Sequence, residues 1–273
     1  MHNEFLNAAI LGVIEGVTEF LPVSSTGHLI IAEQFFRLHE GFDKMFSVVI
    51  QLGAILSVVL YFREKLFPPL KVNNPEQAIR FKETISLWMK SALAVVPILL
   101  VGATFGKHIK NCLFNHWVVA GALFVGGIIL VFIESRKHEP EFEEVSEMSY
   151  KTALYIGLVQ LLAIIPGTSR SAATIIGGMF LGASRKAAAE FSFFLAIPTL
   201  AAASVYELYK YKGAMTKEEL IILGIGFTVS FLVAWGVIAL FMNYIKTRTF
   251  CAFGYYRIVL SIIVVDYFLF FHR

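Results

Sequence analysis

Charge is what this sequence has least of. Only 16% of its 273 residues are Asp, Glu, Lys or Arg, and 57% are hydrophobic. An ordinary soluble domain holds about 25% charged and about 45–50% apolar residues. Cysteine is also scarce: Cys112 and Cys251 stand alone, which excludes a disulfide framework and a thiolate metal site. The net charge of +3 is small and divided among short segments, so no nucleic-acid surface is expected. The first thirty residues lack a basic leader and carry Glu15 and Glu19, so they are not expected to form a cleaved signal.

What is present is long apolar sequence. Phe46–Phe62, Ser91–Gly106, Trp117–Ile133, Phe191–Tyr206 and Leu220–Ile245 contain no Asp, Glu, Lys or Arg. Phe250–Phe271 is interrupted only by Arg257 and Asp266. A helix needs about 20 apolar residues to cross about 30 Å of hydrocarbon. The expected fold is therefore an all-α integral membrane protein with about six transmembrane helices, forming a single membrane domain over 1–273. The basic residues Arg63, Lys65, Lys71, Arg80, Lys82 and Lys90 read as a solvated cytoplasmic loop.

Two apolar stretches are broken by polar clusters. Asn7–Glu33 is interrupted by Pro22 and by Ser24, Ser25, Thr26, Gly27 and His28. Thr152–Ser184 is interrupted by Pro166, Gly167, Thr168, Ser169, Arg170 and Ser171. Proline removes a backbone donor and disfavours helix at the residue before it. Non-helical backbone at membrane depth survives only where protein or a wet cavity covers it. Each stretch is therefore predicted to be a re-entrant helix hairpin with a polar tip.

The two stretches resemble each other. Leu11-Gly12-Val13-Ile14-Glu15 aligns with Ile156-Gly157-Leu158-Val159-Gln160, Pro22 with Pro166, Ser25 with Ser169, and Phe46-Ser47 with Phe191-Ser192. The near-constant offset suggests an inverted internal repeat, with halves about 1–134 and 150–273. If each hairpin returns to its own side, the segments 63–90, 134–151, 185–190 and 246–249 share one side and hold 13 Lys plus Arg. The opposite side, with both termini, holds 8. Positive charge favours the cytoplasm, so the termini and the mouth of the first hairpin are expected to face outward.

Glu15 and Glu19 lie four apart, so both carboxylates leave one face of a helix. Ionisable groups at membrane depth mark functional sites. Two adjacent carboxylates call for a cation or a shared proton; a divalent metal ligated by Glu15 and Glu19 is the simplest relief, with Mg²⁺ and Ca²⁺ both oxygen-seeking. Ser25 is a candidate nucleophile with His28 as its base, direct attack by His28 or by a metal-bound water stays open, and His28 is also a candidate general acid; Ser-Ser-Thr-Gly could also be a plain helix cap. At the second tip, Gly167 permits an unusual turn. The following helix start offers an anion site, joined by the hydroxyls of Ser169, Ser171 and Thr174. Arg170 suits phosphate oxygens, or could pair with Glu15 or Glu19. Together these residues suit phosphoryl transfer from a substrate with an anionic head and an apolar tail.

The signatures Glu15-Gly16-Val17-Thr18-Glu19-Phe20-Leu21-Pro22-Val23-Ser24-Ser25-Thr26-Gly27-His28 and Pro166-Gly167-Thr168-Ser169-Arg170-Ser171-Ala172-Ala173-Thr174 closely resemble the bacterial undecaprenyl-diphosphate phosphatase family, the UppP or BacA type linked to bacitracin resistance. Glu190-Phe191-Ser192-Phe193-Phe194-Leu195-Ala196-Ile197-Pro198 is similar to a third stretch of that family. The resemblance covers essentially the whole chain. It implies hydrolysis of undecaprenyl diphosphate to the monophosphate and phosphate, recycling the carrier lipid of cell-wall synthesis. It also implies a divalent-metal-dependent enzyme, multi-pass in the bacterial inner membrane, with an outward-facing site in inverted repeats. Catalytic candidates are then Glu15, Glu19, Ser25, His28 and Arg170. Phosphate-binding candidates are Ser24, Thr26, Gly167, Thr168, Ser169, Arg170, Ser171 and Thr174. The substrate partner is a polyprenyl diphosphate lipid, and a homodimer is left open.

Acid-phosphatase-like lipid phosphatases place a His about six residues after Ser-Arg; no His follows Ser169-Arg170 in that window, so that class is set aside. A lipid flippase or transporter is the competing reading, since repeats and midplane charges also suit transport. It predicts lipid or ion movement without hydrolysis.

Overall fold

A computed structural model describes residues 2–39, 41–113, 115–136, 139–211 and 215–270. Met1, Lys137, Lys212, Phe271 and Arg273, which entered the readings above, lie outside the described residues. Twelve helices follow in chain order among those described: α1 His2–Thr18, α2 Ser25–Phe35, α3 Asp43–Val49, α4 Gln51–Tyr61, α5 Arg63–Leu66, α6 Pro75–Leu113, α7 His116–Ser135, α8 Tyr150–Val159, α9 Arg170–Phe180, α10 Arg185–Lys210, α11 Lys217–Tyr244 and α12 Cys251–Phe270. A 3₁₀ segment, Gln160–Ile164, extends α8.

Six helical stretches are long and apolar enough to cross a membrane: Asp43–Tyr61, Pro75–Gly106, His116–Ser135, Arg185–Lys210, Lys217–Tyr244 and Cys251–Phe270. They coincide with the six apolar runs. The basic segment before Ser91 is not a loop throughout. Pro75 opens α6, where its missing N–H costs nothing, and the helix runs on through Lys90. Lys90 is only 2% exposed and donates to the carbonyls of Val145 (3.1 Å) and Ser146 (3.0 Å). Burial of an ammonium is tolerable there because carbonyl oxygens replace its water.

The broken stretches end where the sequence places polar clusters. In α1–α2 the chain leaves helix after Thr18 and re-enters at Ser25; in α8–α9 it turns between Ile165 and Ser169. Each new helix is capped by the serine before it. Ser24 Oγ accepts from the Gly27 N–H at 3.3 Å, and Ser169 Oγ from the Ala172 N–H at 3.2 Å. Both serines have φ of 72°, the only positive φ among described non-glycine residues. That backbone is costly without glycine and persists where surrounding structure over-determines it.

The segments that flank each broken stretch lie together. Asn7 donates to the Arg37 carbonyl at 2.8 Å, and Glu4 approaches His39 at 3.6 Å. Ser184, after α9, bonds the carbonyls of Phe142 and Glu143, which precede α8. The broken stretches pack on longer helices: α1 lies along α11 and α8 along α6, while α7 pairs with α12. Gly12 allows the first contact, since a Cβ there would meet the Gly226 carbonyl at 2.7 Å.

Loops meet in two sets. His39 bonds Glu219 at 2.9 Å, and Tyr211 donates to the same carboxylate at 2.6 Å. In the other set, Lys65 pairs with Glu190 at 2.7 Å, Lys186 with Glu144, and Arg185 with Glu134, whose carboxylate also accepts the Phe250 N–H. Each set joins segments that the charge comparison placed on one side.

The hydrogen bond to Glu219 holds the imidazolium form of His39 and raises its pKa above the ordinary 6.5. A raised folded-state pKa stabilises the fold fully below the unfolded value, and the gain is lost as pH rises through the folded value. His39→Gln should therefore lower Tm in detergent more at about pH 5.5 than at about pH 8.5. An equal loss at both pH values would contradict a charged His39–Glu219 contact.

Candidate active site

Glu15 and Glu19 occupy the last turn of α1 and the residue just beyond it. Gly16 lets this turn press on α11, because a Cβ there would meet the Ser230 carbonyl at 2.8 Å. The result is burial: Glu15 is 0% and Glu19 6% exposed. A carboxylate so buried is expensive unless it is paired.

Glu19 is paired twice. Its Oε1 accepts from Arg170 Nη2 at 3.1 Å, and its Oε2 accepts from Ser25 Oγ at 2.8 Å. The first contact joins the two tips across 151 residues of chain. A second joins them through backbone, with Ser171 Oγ donating to the Leu21 carbonyl at 2.8 Å. Glu15 is different: no N–H or hydroxyl among the described residues donates to either carboxylate oxygen, and its carboxyl faces that of Glu19.

Arg170 is held by more than Glu19. Its Nη1 donates to the Ser192 carbonyl (2.7 Å) and Oγ (3.2 Å), and its guanidinium lies over Phe20, 5.7 Å from the ring centroid. Its Nε has no hydrogen-bond partner among the described residues, leaving a donor for an anion in the same plane.

The proposed pairing of Ser25 with His28 is not the hydrogen bond that forms. Ser25 turns to Glu19. His28 uses Nδ1 on the Ser24 carbonyl at 2.8 Å and Nε2 on the Tyr256 hydroxyl at 2.6 Å. The reason is helical geometry: Ser25 and His28 share α2, but the α1 carboxylate and the α12 phenol capture them from different directions.

Of the remaining tip residues, Ser24 and Ser169 spend their hydroxyls on capping. Ser169 also shares a bond with Ser171 at 2.9 Å. Thr174, 1% exposed, donates to Ser192 Oγ at 2.7 Å and packs behind Arg170. Thr26 is half-buried beside Ser25. Gly167 has φ of 90°, and a Cβ there would strike the Val119 carbonyl at 2.4 Å, so the tip closes on α7 only with glycine.

Three neighbours escaped the sequence reading. Ser192 was visible in a matched stretch but had no chemical signal of its own. Arg257 had one, as a lone arginine inside an apolar span. It is fully buried and reaches the carbonyls of Pro22 (3.4 Å), Gly167 (3.2 Å), Thr168 (3.0 Å) and Ala122 (3.2 Å). Tyr256 is one of ten tyrosines and nothing in the sequence singles it out.

Fold and site define a multi-pass helical membrane protein with a buried acid–arginine–hydroxyl centre where two broken helices meet. The chain belongs to the family described as bacitracin resistance protein BacA, whose model matches residues 8–263. It is 49% identical over 267 residues to undecaprenyl-diphosphatase 1 of Clostridioides difficile (strain 630), covering 97% of this chain and 96% of that protein. It is 47% identical over 266 residues to an undecaprenyl-diphosphatase of Enterococcus faecalis, covering 96% of each. A third relative, an undecaprenyl-diphosphatase of Limosilactobacillus fermentum, is 45% identical over 272 residues, 97% of this chain and 98% of that protein.

Proposed function

We infer that this chain is an undecaprenyl-diphosphatase, a membrane hydrolase that converts the lipid diphosphate and water to the lipid monophosphate and inorganic phosphate. Near-full-length relatives at 45–49% identity carry that name, and none of these names describes a transporter. The observation that carries the reading is the junction of the tips, where Arg170 and Ser25 converge on the two oxygens of Glu19.

In the proposed reaction Ser25 Oγ attacks the terminal phosphorus. Its proton passes to Glu19, to which it is already hydrogen-bonded. The P–O bond to the bridging oxygen breaks, and the lipid monophosphate leaves. Water then attacks the phosphoserine, releasing phosphate and restoring the serine hydroxyl and the Glu19 carboxylate. Arg170 holds the equatorial oxygens through its unpaired Nε, where charge is stabilised best. With its ring proton on Nδ1, His28 offers Nε2 as the acceptor for a proton of the water that attacks the phosphoserine.

The acid pair fits a divalent cation. Glu15 has two buried oxygens that receive no donor among the described residues, and Glu19 lies one turn on. Such a set suits Mg²⁺ or Ca²⁺ completed by substrate phosphate oxygens and water. Bound there, the ion would neutralise charge on the diphosphate.

The flanking segments that lie together, and the equal φ of the capping serines Ser24 and Ser169, which moves the repeat match of Ser169 from Ser25 to Ser24, support two re-entrant hairpins in duplicated inverted halves. The larger basic count on the side of Lys65, Arg185 and Lys186 supports a cytoplasmic location for that side. The first hairpin then opens outward in a bacterial membrane.

The test is phosphate release from farnesyl or undecaprenyl diphosphate by purified protein in detergent. Release with Mg²⁺ or Ca²⁺, abolished by chelator, is expected. No release under any metal condition would remove the reading.

A further inference from the structure

The reaction above needs His28 to present one particular nitrogen, and α12 carries the group that arranges it. Nδ1 faces the Ser24 carbonyl at 2.8 Å. A carbonyl oxygen only accepts, so Nδ1 must carry the proton. In the neutral ring Nε2 is then an acceptor, and the Tyr256 hydroxyl at 2.6 Å is its donor. The two rings are stacked, with centroids 5.5 Å apart and planes 10° from parallel.

Tyr256 has no comparable reason to be there for packing. It stands on a membrane-spanning helix with 47% of its surface exposed. A phenol on such a surface needs a partner for its hydroxyl. The adjacent Arg257 fixes α12 against both tips through Pro22, Gly167 and Thr168. The register that buries Arg257 therefore delivers the phenol to His28.

We propose that Tyr256 is a positioning residue for the phosphatase reaction: its hydroxyl donates to His28 Nε2 at 2.6 Å and, together with the Ser24 carbonyl at Nδ1, holds the ring in the Nδ1–H tautomer, with Nε2 unprotonated and able to accept a proton. The inference rests on the phosphatase reading for its catalytic part only.

The experiment compares wild type with Tyr256→Phe, which keeps the stacked ring and deletes one oxygen. The full chain is labelled with ¹⁵N-histidine in detergent, and His28→Gln assigns the His28 signals. Wild type should show one neutral tautomer, protonated at Nδ1, and Tyr256→Phe a mixture of both. In the phosphate-release assay kcat should fall about tenfold with KM within about twofold, the pattern of a weakened acid–base group. His28 signals unchanged by Tyr256→Phe would overturn the proposal whatever the activity does. A mixed tautomer with unchanged kcat would overturn its catalytic part. If wild type releases no phosphate, the tautomer comparison still decides whether Tyr256 sets His28, and the failure falls on the phosphatase reading.

Discussion

Arg170→Ala should reduce phosphate release by about 10²–10³-fold, the loss typical of an electrostatic group aimed at developing charge. The arginine touches Glu19, the backbone and hydroxyl of Ser192, and the face of Phe20, and keeps Nε free. Alanine removes the anion grip and also leaves Glu15 and Glu19 buried without their nearby cation. Breaking one side of a buried ion pair costs about 3–5 kcal/mol, so folding must be followed beside activity. Arg170→Lys keeps the charge but cannot serve Glu19 and Ser192 from one planar fork, and should recover only part of the rate. Pairing Arg170→Ala with Glu19→Gln should restore thermal stability without restoring turnover. Near-normal kcat in Arg170→Ala would remove Arg170 from the mechanism.

Arg257→Met should cost about 10²-fold in kcat although no atom of Arg257 is assigned to the reacting groups; misplacement of about 1 Å is enough for such a loss. Its guanidinium bonds carbonyls from both tips and from α7. Methionine fills the volume but leaves those carbonyls without a donor, at about 1–3 kcal/mol for each one left unsatisfied. Tm should fall together with kcat. Arg257→Lys should not rescue, because a single ammonium cannot span acceptors on three turns. A variant with wild-type kcat and lowered Tm would mean that Arg257 holds the fold and not the site.

Much of this was legible because the bilayer imposes simple rules. Phe46–Phe62 and Leu220–Ile245 announce spans by having no charge over the needed length. Pro22 and Pro166 announce breaks through the missing donor. Glu15, Glu19 and Arg170 stand out because charge at depth requires a reason, and the Arg170–Glu19 pairing was among the expected outcomes. Lys90 misled for a related reason: it lies among basic residues that read as a wet loop, while its ammonium is absorbed by the Val145 and Ser146 carbonyls. Partners chosen across helices left no local trace. Ser25 selects Glu19 over His28, and His28 selects Tyr256, because α1 and α12 approach α2 from different sides. Pattern along one chain does not specify those approaches; the packing of glycine faces such as Gly12 and Gly16 against α11 does.

The central claim is that the two tips form one phosphatase site. The most direct test measures phosphate release from farnesyl diphosphate for wild type, Glu19→Gln, Arg170→Met and the double variant. The account predicts strong coupling, with the double variant no slower than the worse single variant, as for residues that act as a unit. Losses that multiply as independent effects, or a wild type inert with every metal, would contradict it.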